Sequence, residues 1–155
     1  MMATRNFLRL LSIFLSLSGT VYSQSSYSPG KEALRLFNQY KPTIEKKNNA
    51  LVDEPKLIVG DINGDGKDDC IVYFVMTSKD GGNMIVGSEA AIYLNTGTGM
   101  KVVGSFPHFD YCYYVDEIKS QVIIGQEYFC APPYDSIIGT RRFVFKDGKI
   151  KELSK

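Results

Sequence analysis

The sequence predicts an α+β fold, mainly β, in which one N-terminal helix packs on an antiparallel meander of about seven or eight strands. Three observations predict it. Helical spacing of apolar residues occurs once, near the N-terminus of the folded part. From Lys56 onward the chain breaks into short apolar segments, and clusters rich in Gly, Asn, Asp and Thr separate them at intervals that suit hairpins.

The helix is expected over Lys31–Tyr40, where Ala33, Leu36, Phe37 and Tyr40 fall on one face. Pro29-Gly30 precedes it and Pro42 is expected to end it. The polar stretch from Lys41 to Ala50 reads as a second short helix or a loop. The β segments follow in order: Lys56 to Val59, Cys70 to Thr77, Ser88 to Leu94, Lys101 to Phe106, Tyr111 to Ile118, Gln121 to Phe129, Arg141 to Lys146 and Lys149 to Leu153. Lys79-Asp80-Gly81-Gly82-Asn83 and Asn95-Thr96-Gly97-Thr98-Gly99 mark turns, and Asp147-Gly148 is a strong signal for a two-residue hairpin turn.

The first residues read as an export signal. Arg5 and Arg9 precede and enter an apolar run from Phe7 to Leu17, and Val21-Tyr22-Ser23 offers a cleavage site. The run is too short for a membrane span, which needs roughly 20 apolar residues. The expected organisation is therefore a signal peptide over 1–23, a flexible Ser-rich lead-in over 24–30, and a single β-rich domain over 31–155. Removing residues 1–23 leaves 132 and takes away two arginines, so 18 basic against 17 acidic residues becomes 16 against 17. That balance, with no long basic run, disfavours nucleic acid as a partner, and no transmembrane segment is expected in the mature chain. Oligomeric state is open.

The export signal places the three cysteines, Cys70, Cys112 and Cys130, in a secreted or periplasmic setting where disulfides persist. Cys70 opens the apolar run Cys70-Ile71-Val72-Tyr73-Phe74-Val75-Met76 and reads as a buried small hydrophobe of a central strand. A Cys112–Cys130 bridge is the expected pairing, with three free thiols as the alternative. No cysteine pair has zinc-ligand spacing.

The chemistry concentrates in Asp61-Ile62-Asn63-Gly64-Asp65-Gly66-Lys67-Asp68-Asp69. Calcium takes six to eight oxygens, and alternate residues of a tight loop can supply them. Asp61, Asn63 and Asp65 stand at positions one, three and five, Lys67 offers its main-chain carbonyl at seven, and Asp69 stands at nine. Four carboxylates lie within this stretch, and two charges about 5 Å apart repel by roughly 3 kcal/mol at an effective dielectric near 20. A dication relieves that repulsion. The competing reading is a metal-free turn rich in Gly, Asn and Asp. Val72 stands at position twelve, where an EF-hand has a bidentate glutamate, and both flanks read as strand, so a helix-loop-helix switch is not expected.

The form Asp-x-Asn-Gly-Asp-Gly-x-x-Asp followed by an apolar strand resembles the calcium loop of FG-GAP and VCBS-type repeats. Ala91-Ile92-Tyr93-Leu94-Asn95-Thr96-Gly97-Thr98-Gly99-Met100 is similar to their strand-and-turn segment. The resemblance implies a structural calcium ion held by Asp61, Asn63, Asp65, the Lys67 carbonyl and Asp69. Such repeats stack as propeller blades, but this chain contains one loop and no second copy at a fixed period, so a closed propeller is not expected. The wider order of export signal, loop, hairpin, Cys130-Ala131-Pro132-Pro133 and Thr140-Arg141-Arg142-Phe143 also resembles small bacterial envelope proteins. That likeness implies location and architecture, not an activity.

Enzymatic signals are sparse. His108 is the single histidine, beside Asp110, and no nucleophile motif accompanies it. Tyr111, Tyr113, Tyr114, Tyr128, Phe129 and Tyr134 could form a recognition surface, although most of them are expected as core and strand-face residues. Arg141 and Arg142 are adjacent in a strand and so point to opposite faces. The expectation is an exported, calcium-binding, non-enzymatic module that contacts a protein partner in the cell envelope. The alternatives are a calcium-dependent hydrolase and an envelope inhibitor or immunity protein.

Overall fold

A computed structural model of the chain describes residues 27–81, 84–106, 112–129 and 137–153. Among the described residues one helix, α1 (Pro29–Asn48), precedes nine strands: β1 (Ala50–Val52), β2 (Lys56–Gly60), β3 (Asp69–Ser78), β4 (Ile85–Asn95), β5 (Met100–Ser105), β6 (Cys112–Lys119), β7 (Val122–Tyr128), β8 (Ile137–Lys146) and β9 (Lys149–Glu152). The mainly β, α+β class is as the sequence predicts, and among the described residues neither sheet closes into a barrel. The strands form two antiparallel sheets where a single meander was expected. The first has the order β1-β3-β4-β5, with β2 also pairing β3, and the second has the order β6-β7-β8-β9.

The layers follow from β3. Its residues are buried without interruption from Asp69 to Phe74 because each of its faces has a cover. Cys70, Val72, Phe74 and Met76 pack with Ala33, Phe37 and Ile44 of α1, and the Phe37 and Phe74 rings lie 5.0 Å apart. Ile71 and Tyr73 join Ile92, Phe106, Tyr113, Val115, Ile123 and Phe143 between the sheets. The Tyr73 hydroxyl donates to the Tyr113 carbonyl at 2.9 Å, tying one sheet to the other. A strand buried on both sides reads as a continuous apolar run rather than an alternating one.

Two expectations about the helix change. It begins at Pro29, within the expected lead-in, where the ring preorganises the first turn and the missing N–H costs nothing. It also passes through Pro42 to Asn48, because Ile44 continues the stripe of Ala33 and Phe37 into the core. Burying that isoleucine contributes about 1.5–3 kcal/mol, comparable to the roughly 3 kcal/mol of an interior proline. Tyr40 shares the stripe yet is 56% exposed. Asn49 at φ 48° closes the helix, its N–H donating to the Glu45 carbonyl, and β1, which was not anticipated, follows at once.

Cys70 is fully buried in β3, as expected, and burial pushes its thiol up to about 11. The expected Cys112–Cys130 pairing rests on the Cys112 side chain and on Cys130, both outside the described residues, as do residues 1–23 of the expected signal and His108. No helix among the described residues is long and apolar enough to cross a membrane.

Candidate metal centre

The loop between β2 and β3 is built from the top of one hairpin. Gly60 pairs with Asp69, and everything from Asp61 to Asp68 projects beyond that last rung. Side chains at positions one, three and five each turn back to accept backbone N–H groups. Asp61 Oδ1 accepts from Gly64 at 2.7 Å and Oδ2 from Gly66 at 3.0 Å; Asn63 Oδ1 accepts from Asp65 at 2.9 Å; Asp65 Oδ1 accepts from Lys67 at 3.0 Å. Gly64 and Gly66 both adopt φ 79°, the left-handed conformation this winding requires and glycine adopts without steric cost. Ile62, at position two, points the other way and is buried in the core between the sheets. One hydrophobic anchor therefore holds an otherwise polar, solvent-facing loop.

The Lys67 ammonium sits 2.9 Å from Asp65 Oδ2. This contact, with the N–H groups of the ladder, holds the Asp65 carboxyl below its ordinary range. Asp69 occupies a different environment. It is fully buried, and its two oxygens accept from the Ile62 N–H at 2.9 Å and the Asn95 N–H at 2.7 Å. Burial pushes its carboxyl up, opposed by the Asn95 and Ile62 N–H groups.

Asn95 was legible only as part of a turn cluster, yet it completes the arrangement. Its amide donates to the Asp68 carbonyl at 3.1 Å and its carbonyl oxygen accepts from Gly97 at 2.9 Å. The loop and the Ala91–Met100 segment are thus joined side by side, with Cys70 opposite Tyr93 in the β3–β4 ladder. Nothing in the spacing of Asp69 and Asn95 reveals this contact, because it depends on how β3 and β4 pair.

The donor chemistry suits a hard dication: carboxylate, amide and main-chain oxygens in a short loop, with no sulfur or imidazole. Each oxygen of the ladder accepts one backbone N–H and keeps a second lone pair. Asp61, Asn63 and Asp65 are brought together as neighbours in this ladder, whereas Asp69 is drawn inward to the backbone of β4. Among the described residues, no three His, Cys, Asp or Glu side chains converge on one point.

Of the other residues singled out from sequence, Arg141 binds Glu127 through Nε at 3.0 Å and Nη2 at 3.2 Å, and Glu152 through Nη1 at 2.7 Å. Those two carboxylates hold the guanidinium pKa above its ordinary value. Arg142 points to the opposite face and is exposed. Tyr113 is buried between the sheets, while Tyr114 and Tyr128 stand with rings 6.0 Å apart and the Lys56 ammonium lies 5.7 Å over Tyr114. Tyr111 and Tyr134 lie outside the described residues.

No protein-family model matches the chain, and neither a curated protein nor a solved structure shows significant similarity to it.

Proposed function

We propose that this chain is an exported, non-enzymatic module in which the Asp61–Asp69 loop takes up calcium as a structural brace and another surface contacts a protein partner. The observation that carries the reading is the Asx ladder of Asp61, Asn63 and Asp65, which arrays oxygen donors along a loop anchored by Ile62. Asp61, Asn63, Asp65, the Lys67 carbonyl and Asp69 would hold the ion, which supplies positive charge among four carboxylates. The location rests on the apolar run behind Arg5 and Arg9.

The partner surface we favour is the outer face of the second sheet, where the paired rings of Tyr114 and Tyr128 present area with polar tips. The nearby Phe129, Ile137 and Ile138 are exposed as well.

A direct test is calorimetric titration of calcium into the purified protein and into Asp65→Ala, with thermal melts in calcium and in chelator. At a dissociation constant of about 10⁻⁴ to 10⁻³ M, typical of extracellular calcium modules, millimolar calcium stabilises by about 0.4–1.4 kcal/mol. Asp65→Ala should lose that increment. No heat of binding and an unchanged wild-type melt would reduce the loop to a metal-free turn. Turnover abolished by chelation would instead make it part of a hydrolase.

A further inference from the structure

The two sheets are covered unequally. Helix α1 packs on the outer side of the first, while the outer side of the second borders solvent, its strand β7 alternating between buried and half-buried residues. Residues directly opposite in a ladder share a face, so the register sorts the charges of the β8–β9 hairpin. Glu152 stands opposite Phe143 and Arg141 opposite Gly125, and both face inward, where Arg141 binds Glu127 and Glu152. Arg142 stands opposite Ile124, Lys151 opposite Val144, and Lys146 opposite Lys149. These four cations share the outer side, and all are exposed.

One carboxylate of the hairpin accompanies them: Asp147, which takes Lys151 at 2.6 Å. Arg142, Lys146 and Lys149 make no ion pair among the described residues. The whole chain carries 18 basic against 17 acidic residues, so this surplus comes from placement and not from composition. Fold stability does not account for it. Like charges directly opposite in a ladder are destabilising, and Lys146 faces Lys149 in that way. Lysines on an edge strand discourage stray pairing, which explains Lys149 and Lys151 of β9 but not Arg142 and Lys146 of β8, an inner strand.

Beside the cations lies an apolar strip of Val122, Ile124 and Val144, each half-buried. An exposed arginine bordering apolar residues, with tyrosines on the same face, has the composition of a binding hot spot. Across the strip Glu117 also stands opposite Ile124 and is exposed, two strand spacings or roughly 10 Å from β8. A uniformly anionic bilayer laid on this face would repel Glu117, whereas a protein surface can match a pattern of both signs.

We propose that the outer face of the second sheet docks a protein that presents carboxylates to Arg142, Lys146 and Lys149 and apolar side chains to Val122, Ile124 and Val144. This rests on the reading of that face as the partner surface and names the partner's chemistry.

The probe is a random dodecapeptide library displayed on phage, selected against the purified protein at low salt, with binders mapped by amide shifts of the isotope-labelled protein. Expected binders are rich in acidic and apolar residues, shift β7, β8 and β9, and weaken as salt is added. Arg142→Ala should weaken them at least about tenfold. Lys149→Glu should weaken them as well, while raising the melting temperature by about 2–4 °C, because an opposite-charge pair with Lys146 replaces a repulsive one. Lost binding in a better-folded variant excludes misfolding as its cause.

Binders that lack acidic residues, or that keep their affinity in both variants while still shifting β7, overturn the acidic partner and leave the partner face standing. A selection that returns no binder to this face overturns both. Binding to phosphatidylglycerol vesicles that Lys149→Glu abolishes would overturn the proposal in favour of a lipid surface. A dimer in sedimentation velocity that Arg142→Ala dissociates would overturn it in favour of a second copy.

Discussion

β3 and β7 are both inner strands of antiparallel sheets, yet they bury their side chains differently. β3 lies under α1 on one face and against the second sheet on the other, so six successive residues from Asp69 to Phe74 are buried. β7 alternates: Ile123, Gly125 and Glu127 face inward, while Val122, Ile124, Gln126 and Tyr128 are half-buried on the outer face. The difference teaches where this fold concentrates its stability. Substitutions along β3 have no tolerant face, whereas every second position of β7 borders solvent.

The largest test of that contrast is Phe74→Ala. It removes a ring that packs, tilted, against Phe37 at 5.0 Å, and urea unfolding should register a loss of about 3–5 kcal/mol. Next comes Asp69→Ala, which leaves the Ile62 and Asn95 N–H groups without their acceptor. It should cost about 2–4 kcal/mol, since each buried unsatisfied group carries about 1–3 kcal/mol. A loss this large in chelator would establish that Asp69 serves the backbone whether or not calcium is present.

Alkaline pH probes β3 without mutation. Burial pushes the Cys70 thiol up to about 11 from an ordinary 9.0 and the Tyr73 phenol up to about 12 from an ordinary 10.0. In both, the folded protein holds its proton more tightly than the unfolded chain. Their contribution is present in full below pH 9 and is lost as pH rises toward 12. Stability measured by urea titration should therefore fall across that window. Thiol reagents at pH 8 should leave Cys70 unmodified until the protein unfolds.

The smallest effect is expected at Ile124→Ala on the outer face of β7, about 1 kcal/mol or less. Should it instead cost as much as Phe74→Ala, that face is covered in solution and the contrast between the strands disappears.

Much of the architecture was legible because period and turn chemistry are local. Ala33 and Phe37 announce the helix, Asp147-Gly148 announces its hairpin, and the continuous run after Cys70 announces a strand covered on both sides. The length of α1 was not, because Pro42 is a local stop signal that the burial of Ile44 overrides. β1 was missed for a related reason: three residues are too few to show a period, and pairing with Met76 to Ser78 of β3 defines them.

The loop divides in the same way. Sequence by itself determined the alternation of Asp61, Asn63 and Asp65 and the two glycines that let the loop wind, since each requirement is met within nine consecutive residues. Only the tertiary structure decided that Asp69 turns inward to Ile62 and Asn95, that Asn95 docks the next turn on the loop, and that Gln121 lies against Gly64. Those contacts join residues 7, 26 and 27 positions apart, and the second sheet to the first. They exist because β3 pairs with β4 and because Ile118 of the second sheet packs against Gly60 at the end of β2. No spacing along the chain encodes that.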